Sequence, residues 1–181
     1  MSRTIYFTAT TLDGFLADEH DGLDWLLTQD HDPQGPGGHE AFMDGVGALV
    51  MGRTTYDWVR AHMDRTGEPW AYAIPTWVMT HRPAGGVDGA DIRFASGDVT
   101  AVHAEMAAAA DGRDLWVVGG GQLAVDLVRA GLLDEIRVSI APVTLGAGRP
   151  LLPAPVDLRL IAVDRNRAFV CARYDVVGPR A

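Results

Sequence analysis

The chain contains no lysine; its 15 basic residues are all arginine. A Walker-type phosphate loop, a Schiff-base lysine and a kinase-type lysine are therefore excluded. Cysteine is nearly absent as well. The single Cys171 rules out a disulfide framework and a cysteine-based zinc site. The six histidines show no ligand spacing, and His39-Glu40 lacks the second histidine of a zinc helix because position 43 is methionine. No apolar run is long enough to span a bilayer. The start of the chain carries no signal-peptide apolar region, so a reducing cytoplasm is the expected setting. A net charge of −9 argues against nucleic acid or an anionic membrane as partner. An anionic ligand would have to be held by a few local arginines and backbone amides.

What remains is an ordinary globular composition, 48% hydrophobic and 22% charged. A length of 181 residues fits one domain over 1–181, able to bury roughly 70% of its unfolded surface. The fullest loop signals are Asp30 to Gly38 and Arg82 to Gly86. Eight segments read as strands: Thr4–Thr10, Ala48–Met51, Thr76–Thr80, Ile92–Phe94, Leu115–Val118, Ile136–Pro142, Leu158–Val163 and Ala168–Val176. Four read as helices. Thr54–Met63 has a capping-box-like start at Thr54 and Asp57, and Val99–Ala110 is capped by Asp98. Gln122–Ala130 is stopped by Gly131, and His39–Asp44 is short. Alternation of strand and helix followed by consecutive strands predicts an α/β fold. Its sheet is mainly parallel, of about eight strands, with an antiparallel C-terminal edge and about four flanking helices.

Four strand ends carry chemistry. The buried strand ending at Val118 runs into Gly119-Gly120-Gly121 and then Gln122-Leu123, where a helix begins. Glycines admit close backbone approach, and the amides of a helix start favour a pyrophosphate. A tight turn without a ligand would need fewer glycines. The segment also satisfies a relaxed G-x-G-x-x-A fingerprint, but it comes late in the chain and the next strand ends in no ribose-binding acid. At Met51-Gly52-Arg53-Thr54-Thr55-Tyr56, a strand meets a helix start with a fixed cation and hydroxyls, which suit a phosphate; a capped helix with a solvated arginine reads equally well. Thr80-His81-Arg82 closes another strand, where an arginine would accept the 2′-phosphate of NADP. Asp13-Gly14 forms a turn after the first strand.

In order and spacing, these segments resemble the dihydrofolate reductase superfamily. They are Ala9 to Ala17, Met51 to Tyr56, Gly119 to Gly121, and Ile140-Ala141-Pro142-Val143-Thr144-Leu145-Gly146-Ala147-Gly148-Arg149-Pro150-Leu151. The nearest branch is the RibD C-terminal domain, the reductase part of bacterial bifunctional riboflavin-biosynthesis proteins. The resemblance implies a dihydrofolate-reductase-like fold and NADPH as cofactor. Ala9, Leu16 and Ala17 would then lie beside the nicotinamide, and Gly52, Arg53, Thr54 and Thr55 would hold phosphates. Arg53, Thr80, His81 and Arg82 would surround the 2′-phosphate, and Val118 to Leu123 would wrap the pyrophosphate. It also implies a strained, cis Gly119-Gly120 peptide and a homodimer, for which the apolar C-terminal strands offer an interface.

Within this family a folate reductase carries a carboxylate on the short helix before the Met-Gly-Arg motif. Glu40 is the nearest candidate here, and a solvated helix acid is its alternative. Asp24 and Trp25 would border the substrate pocket, although Trp25 reads equally as a core anchor. Arg149 is the one outlying cation for a phosphorylated substrate. The expected activity is NADPH-dependent hydride transfer to a small heterocyclic or carbonyl-like substrate, of the pyrimidine-reductase kind. Its rivals are a true dihydrofolate reductase, a non-catalytic NADPH-binding protein and, more weakly, a Rossmann-type NAD protein.

Overall fold

The computed structural model describes residues 2–180; Met1 and Ala181, the ends of the expected domain, lie outside the described residues. The elements follow in chain order as β1 (Thr4–Thr11), β2 (Phe15–Ala17), α1 (Asp24–Leu27), α2 (His39–Met43), β3 (Val46–Gly52), α3 (Arg53–Thr66), β4 (Thr76–Met79) and β5 (Ile92–Ala95). They continue with α4 (Val99–Ala109), β6 (Asp114–Gly119), α5 (Gly121–Arg129), β7 (Glu135–Ala141), β8 (Arg149–Pro150), β9 (Val156–Asn166) and β10 (Phe169–Pro179). Eight strands form one sheet in the order β5-β4-β3-β6-β1-β7-β10-β9. Pairings are parallel from β5 to β7 and antiparallel for β7–β10 and β10–β9. This is the mainly parallel sheet with an antiparallel edge that the sequence predicts. A Rossmann order is excluded, because β6 lies between β3 and β1.

Near-continuous apolar runs make β3 and β6 strands buried on both faces. One face of the sheet packs Tyr6, Val50, Trp77 and Ile136 against α4 and α5 through Val102, Met106, Leu123 and Leu127. The other packs Ile5, Phe7, Leu49 and Met51 against Phe42 of α2 and Tyr56 of α3. A third cluster joins Trp25 to Ala141, Phe169 and Cys171, with Ala9 against it. No helix among the described residues is long and apolar enough to cross a membrane.

The structure corrects several expectations. Five helices form rather than four; the extra one, α1, has a single turn and too short a pattern to read. β2 and β8 make a separate two-stranded sheet, of three and two residues. The helix expected to start with a Thr54 cap begins at Arg53, with Gly52 as its cap and no side-chain capping bond. Asp57 turns to Arg53 instead, at 2.7 Å. The Gly119-Gly120 peptide is trans. Gly120 makes the sharp strand-to-helix turn through φ 104°, a region open to glycine, and no cis bond is needed.

Candidate nucleotide-binding site

The parallel strands β1, β3, β4 and β6 all run the same way, so their C-terminal ends share one edge of the sheet. In such sheets ligands bind at that edge. Met51 is in register with Gly119 and Gly52 with Met79, which sets three of the motifs side by side. A Cβ on Gly119 would stand 2.7 Å from the Thr55 hydroxyl, and one on Gly120 would lie 3.8 Å from Gly52 Cα. Two helices therefore begin at adjoining points, and neither has a side-chain cap. α4, which follows the parallel strand β5 at the same edge, differs in being capped by Asp98, which accepts from the Thr100 amide at 2.9 Å. The first-turn amides of α3 and α5, which have no intrahelical partner, suit an anionic group.

Arg53 spans from α3 to the loop after β4. Its guanidinium donates to Asp57 at 2.7 Å, to the Thr80 hydroxyl at 3.5 Å, and to the carbonyls of Arg82 and Pro83 at 3.3 and 2.9 Å. Thr80 accepts from the Arg82 amide at 3.1 Å, and the Arg82 side chain approaches Asp57 at 3.8 Å. Two arginines thus share one carboxylate and leave net positive charge. Beside them Thr80, His81, Arg82, Phe94 and Ser96 line an open cleft of about 480 Å³.

The second half of the site is built by two loops that brace each other. Asp13 accepts from the amides of Leu145 (3.1 Å) and Gly146 (2.7 Å) and from the Thr11 hydroxyl (2.5 Å). The Thr11 bond, followed by those two amides, holds the Asp13 carboxyl below its ordinary value. β2 pairs with β8, setting Ala17 opposite Arg149, and a side chain at Gly148 would run into the Ala17 carbonyl. A Cβ on Gly121 would meet the Pro150 and Leu151 carbonyls at 2.6 and 2.5 Å. Leu16 and Ala17 are thereby tied through the 148–151 segment to the start of α5, with Gln122 and Leu123 in its first turn.

The expected substrate residues are placed differently. Glu40 is exposed, bonded to the Gln34 amide, and lies two residues from the buried Phe42, hence on the far side of α2. The structure does not bring it to the sheet. Arg149 is bound by Asp21 at 2.6 Å and is no free cation. Asp24 is exposed at the start of α1, while Trp25 is 9% exposed within the third cluster, its Nε1 without a partner.

The sequence reading weighed His39 only as a metal ligand and a helix start, and missed its place in the site. His39 shares the Phe42 face of α2 and meets the Trp116 ring edge-on at 5.3 Å. Desolvation there lowers its pKa. The i, i+3 spacing of His39 and Phe42 carried that signal. Tyr72 also abuts Trp116, at 5.5 Å, and burial raises its pKa to about 12. No group of three or more His, Cys, Asp or Glu side chains among the described residues is arranged for a metal ion.

Comparison with known proteins agrees with this geometry. A riboflavin biosynthesis candidate from Shewanella sp. PV-4 superposes with a TM-score of 0.79 at 26% identity, covering 97% of this chain and 99% of that one. The uncharacterized protein YwjB of Bacillus subtilis is 29% identical over 150 residues, 82% of each chain. Dihydrofolate reductase from Enterococcus faecalis, complexed with NADP(H), shares the fold at a TM-score of 0.58 and 17% identity, over 97% of this chain and 96% of its own. A Thermotoga maritima deaminase/5-amino-6-(5-phosphoribosylamino)uracil reductase matches with a TM-score of 0.64 at 12% identity; 97% of this chain covers 56% of that protein. The profile of the RibD C-terminal domain matches residues 63–167, more than half of the sequence. The fold is dihydrofolate-reductase-like, and the chain belongs to the RibD C-terminal domain family.

Proposed function

We propose that the chain is an NADPH-dependent reductase acting on a small heterocyclic or carbonyl-like substrate. The observation that carries this reading is the meeting of two uncapped helix starts across Gly52, Thr55 and Gly119. The residues present fit the cofactor: a glycine-walled cradle for the pyrophosphate and two arginines with a cleft for the 2′-phosphate. The Enterococcus faecalis relative is complexed with NADP(H), and the Thermotoga maritima relative is named a uracil reductase.

In this reading Gly52 to Thr55 and Val118 to Leu123 hold the phosphates, while Arg53, Thr80, His81 and Arg82 select the 2′-phosphate. Ala9, Leu16 and Ala17 border the nicotinamide, and the braced 13–17 and 145–151 segments exclude water from it. Bound NADPH supplies the hydride. Glu40 has no part, and water delivers the proton to the substrate. A true dihydrofolate reductase is disfavoured, since α2 presents His39 and Phe42 to the sheet where a carboxylate would be needed. The same observation favours, as a second reading, a protein that binds NADPH without turnover.

The test is oxidation of NADPH carrying deuterium at its transferable position, over a panel of pyrimidine, pterin and carbonyl compounds. Deuterium recovered in a product supports the reductase. NADPH bound tightly with no transfer to any of them supports the non-catalytic reading.

A further inference from the structure

Ile5, Phe7 and Ala9 alternate along β1 onto one face of the sheet. Trp116, in register with Ile5, and Val118 bring β6 onto the same face. Phe7 and Trp116 are buried there under Phe42 of α2, at 4.3 and 5.6 Å between rings. Ala9 and Val118, nearer the C-terminal edge, are only half-buried. The cover of this face therefore thins just before β6 runs into Gly119.

Two polar side chains rest against Trp116, and Val118 lies about 7 Å farther along the strand. His39 is exposed and meets the indole edge-on at 5.3 Å. Tyr72, half-buried in the segment after α3, meets the same ring edge-on at 5.5 Å. Neither the imidazole nor the hydroxyl has a hydrogen-bond partner among the described residues. Trp70, 5.3 Å from Tyr72, keeps a buried Nε1 that also lacks one. Polar groups left unpaired in such surroundings are costly to the fold, and a ligand that pairs with them removes that cost.

The charges nearby narrow the kind of ligand. Arg137 lies over the Phe42 ring at 5.4 Å but is committed to Glu135 by bonds of 2.9 and 3.2 Å. Arg149, opposite Ala17, is held by Asp21 at 2.6 and 3.2 Å. Arg60 lies beyond Trp70 and Tyr56, with its Nη1 on the Tyr56 hydroxyl and the Gly85 and Gly86 carbonyls. Desolvation lowers the pKa of His39, so its imidazole is uncharged at neutral pH. A phosphate or carboxylate would find no unpaired cation here. An imidazole and a phenol can each donate or accept, which suits the in-plane C=O and N–H groups of a ring.

We infer that His39 and Tyr72 bind the substrate, and that it is an uncharged lactam heterocycle lying over Val118 with its ring C=O and N–H groups toward them. The inference rests on the reductase reading and deepens it. Ala9, beside the nicotinamide in that reading, lies on the adjacent strand of the same face, so ring and cofactor meet there. A phosphorylated or carboxylated ring is refused, because no cation offsets the desolvation of its charge.

The probes are two pairs of rings that differ only by a carboxylate: uracil and orotate, and pterin and pterin-6-carboxylate. Each is titrated by calorimetry into the full chain saturated with NADP+, which has no hydride to give. Uracil or pterin binds, and its carboxylate binds roughly 10-fold more weakly or not at all. Tyr72→Phe, which removes only an unpartnered hydroxyl, and His39→Leu each weaken the bound ring about 10-fold, with NADP+ affinity unchanged. His39→Gln, which keeps a donor and an acceptor, retains part of the affinity that His39→Leu loses. The proposal is overturned if NADP+ binds but neither neutral ring does, if the carboxylates bind as tightly, or if either His39→Leu or Tyr72→Phe binds the ring like the unaltered chain. Absence of NADP+ binding to the unaltered chain overturns the cofactor reading, and this proposal with it.

Discussion

A single added atom at Gly121 tests the tolerance of the proposed cofactor cradle. At Gly121 a Cβ would press on two backbone carbonyls of the 150–151 segment, which cannot rotate away. Gly121→Ala is expected to cost about 1–3 kcal/mol of overpacking, seen as a lower midpoint of thermal unfolding and weaker NADPH binding. Gly85 has open space around it, and Gly85→Ala should change neither. Glu40, exposed on the outer side of α2, should tolerate Glu40→Gln with full turnover; a large fall in kcat would restore it to the mechanism. The residues that were legible in the sequence are those whose role lies in the backbone around them. Gly52 and Gly119 to Gly121 announce a close approach wherever a strand runs into a helix. Arg149 and Glu40 were harder, because a cation or an acid on a loop reads alike whether a ligand or a neighbour such as Asp21 or Gln34 takes it.

Among the elements, the contrast between α4 and the two site helices is the most informative. α4 receives a side-chain cap from Asp98 at the Thr100 amide, whereas α3 and α5 begin on bare glycine. Asp98→Ala should lower stability by about 1 kcal/mol in denaturant titration and leave NADPH affinity untouched. The long strands and α3, α4 and α5 were legible because apolar periodicity and terminal signals agree in them. β2, β8 and α1 were not, since two to four residues carry no period, and their geometry comes from distant partners. β2 exists because β8 pairs with it across the 145–151 loop, a contact between positions more than 130 residues apart in the chain that no local pattern encodes. The same limit explains the helix boundary at Arg53, where Asp57 serves an ion pair in place of a cap.

At the scale of the whole molecule, Glu135 joins the parallel half of the sheet to its antiparallel edge. Its side chain is fully buried, with Arg3, Arg137 and Arg173 at 2.7, 2.9 and 2.6 Å. Burial alone would raise its pKa, but bonds from Arg173 and Arg137 outweigh that and bring it below the ordinary 4.5. Because the folded value is depressed, the stability Glu135 contributes is present above the unfolded pKa and is lost as pH falls through the folded one. Glu135→Gln should therefore flatten the acid limb of the stability profile. At neutral pH it should cost about 2 kcal/mol, less than a fully enclosed pair because its arginines are partly exposed. Strand order and this buried hub were beyond local reading, yet together they align the four strand ends of the candidate site. Whether that edge holds the cofactor is tested most directly by titrating the protein with NADPH and with NADH, following quenching of its five tryptophans. The account predicts tighter binding of NADPH, and a loss on the order of 10- to 100-fold in Arg53→Ala, the worth of a charge-assisted contact, with NADH little changed. Equal binding of the two, or NADPH affinity indifferent to Arg53→Ala, would contradict it.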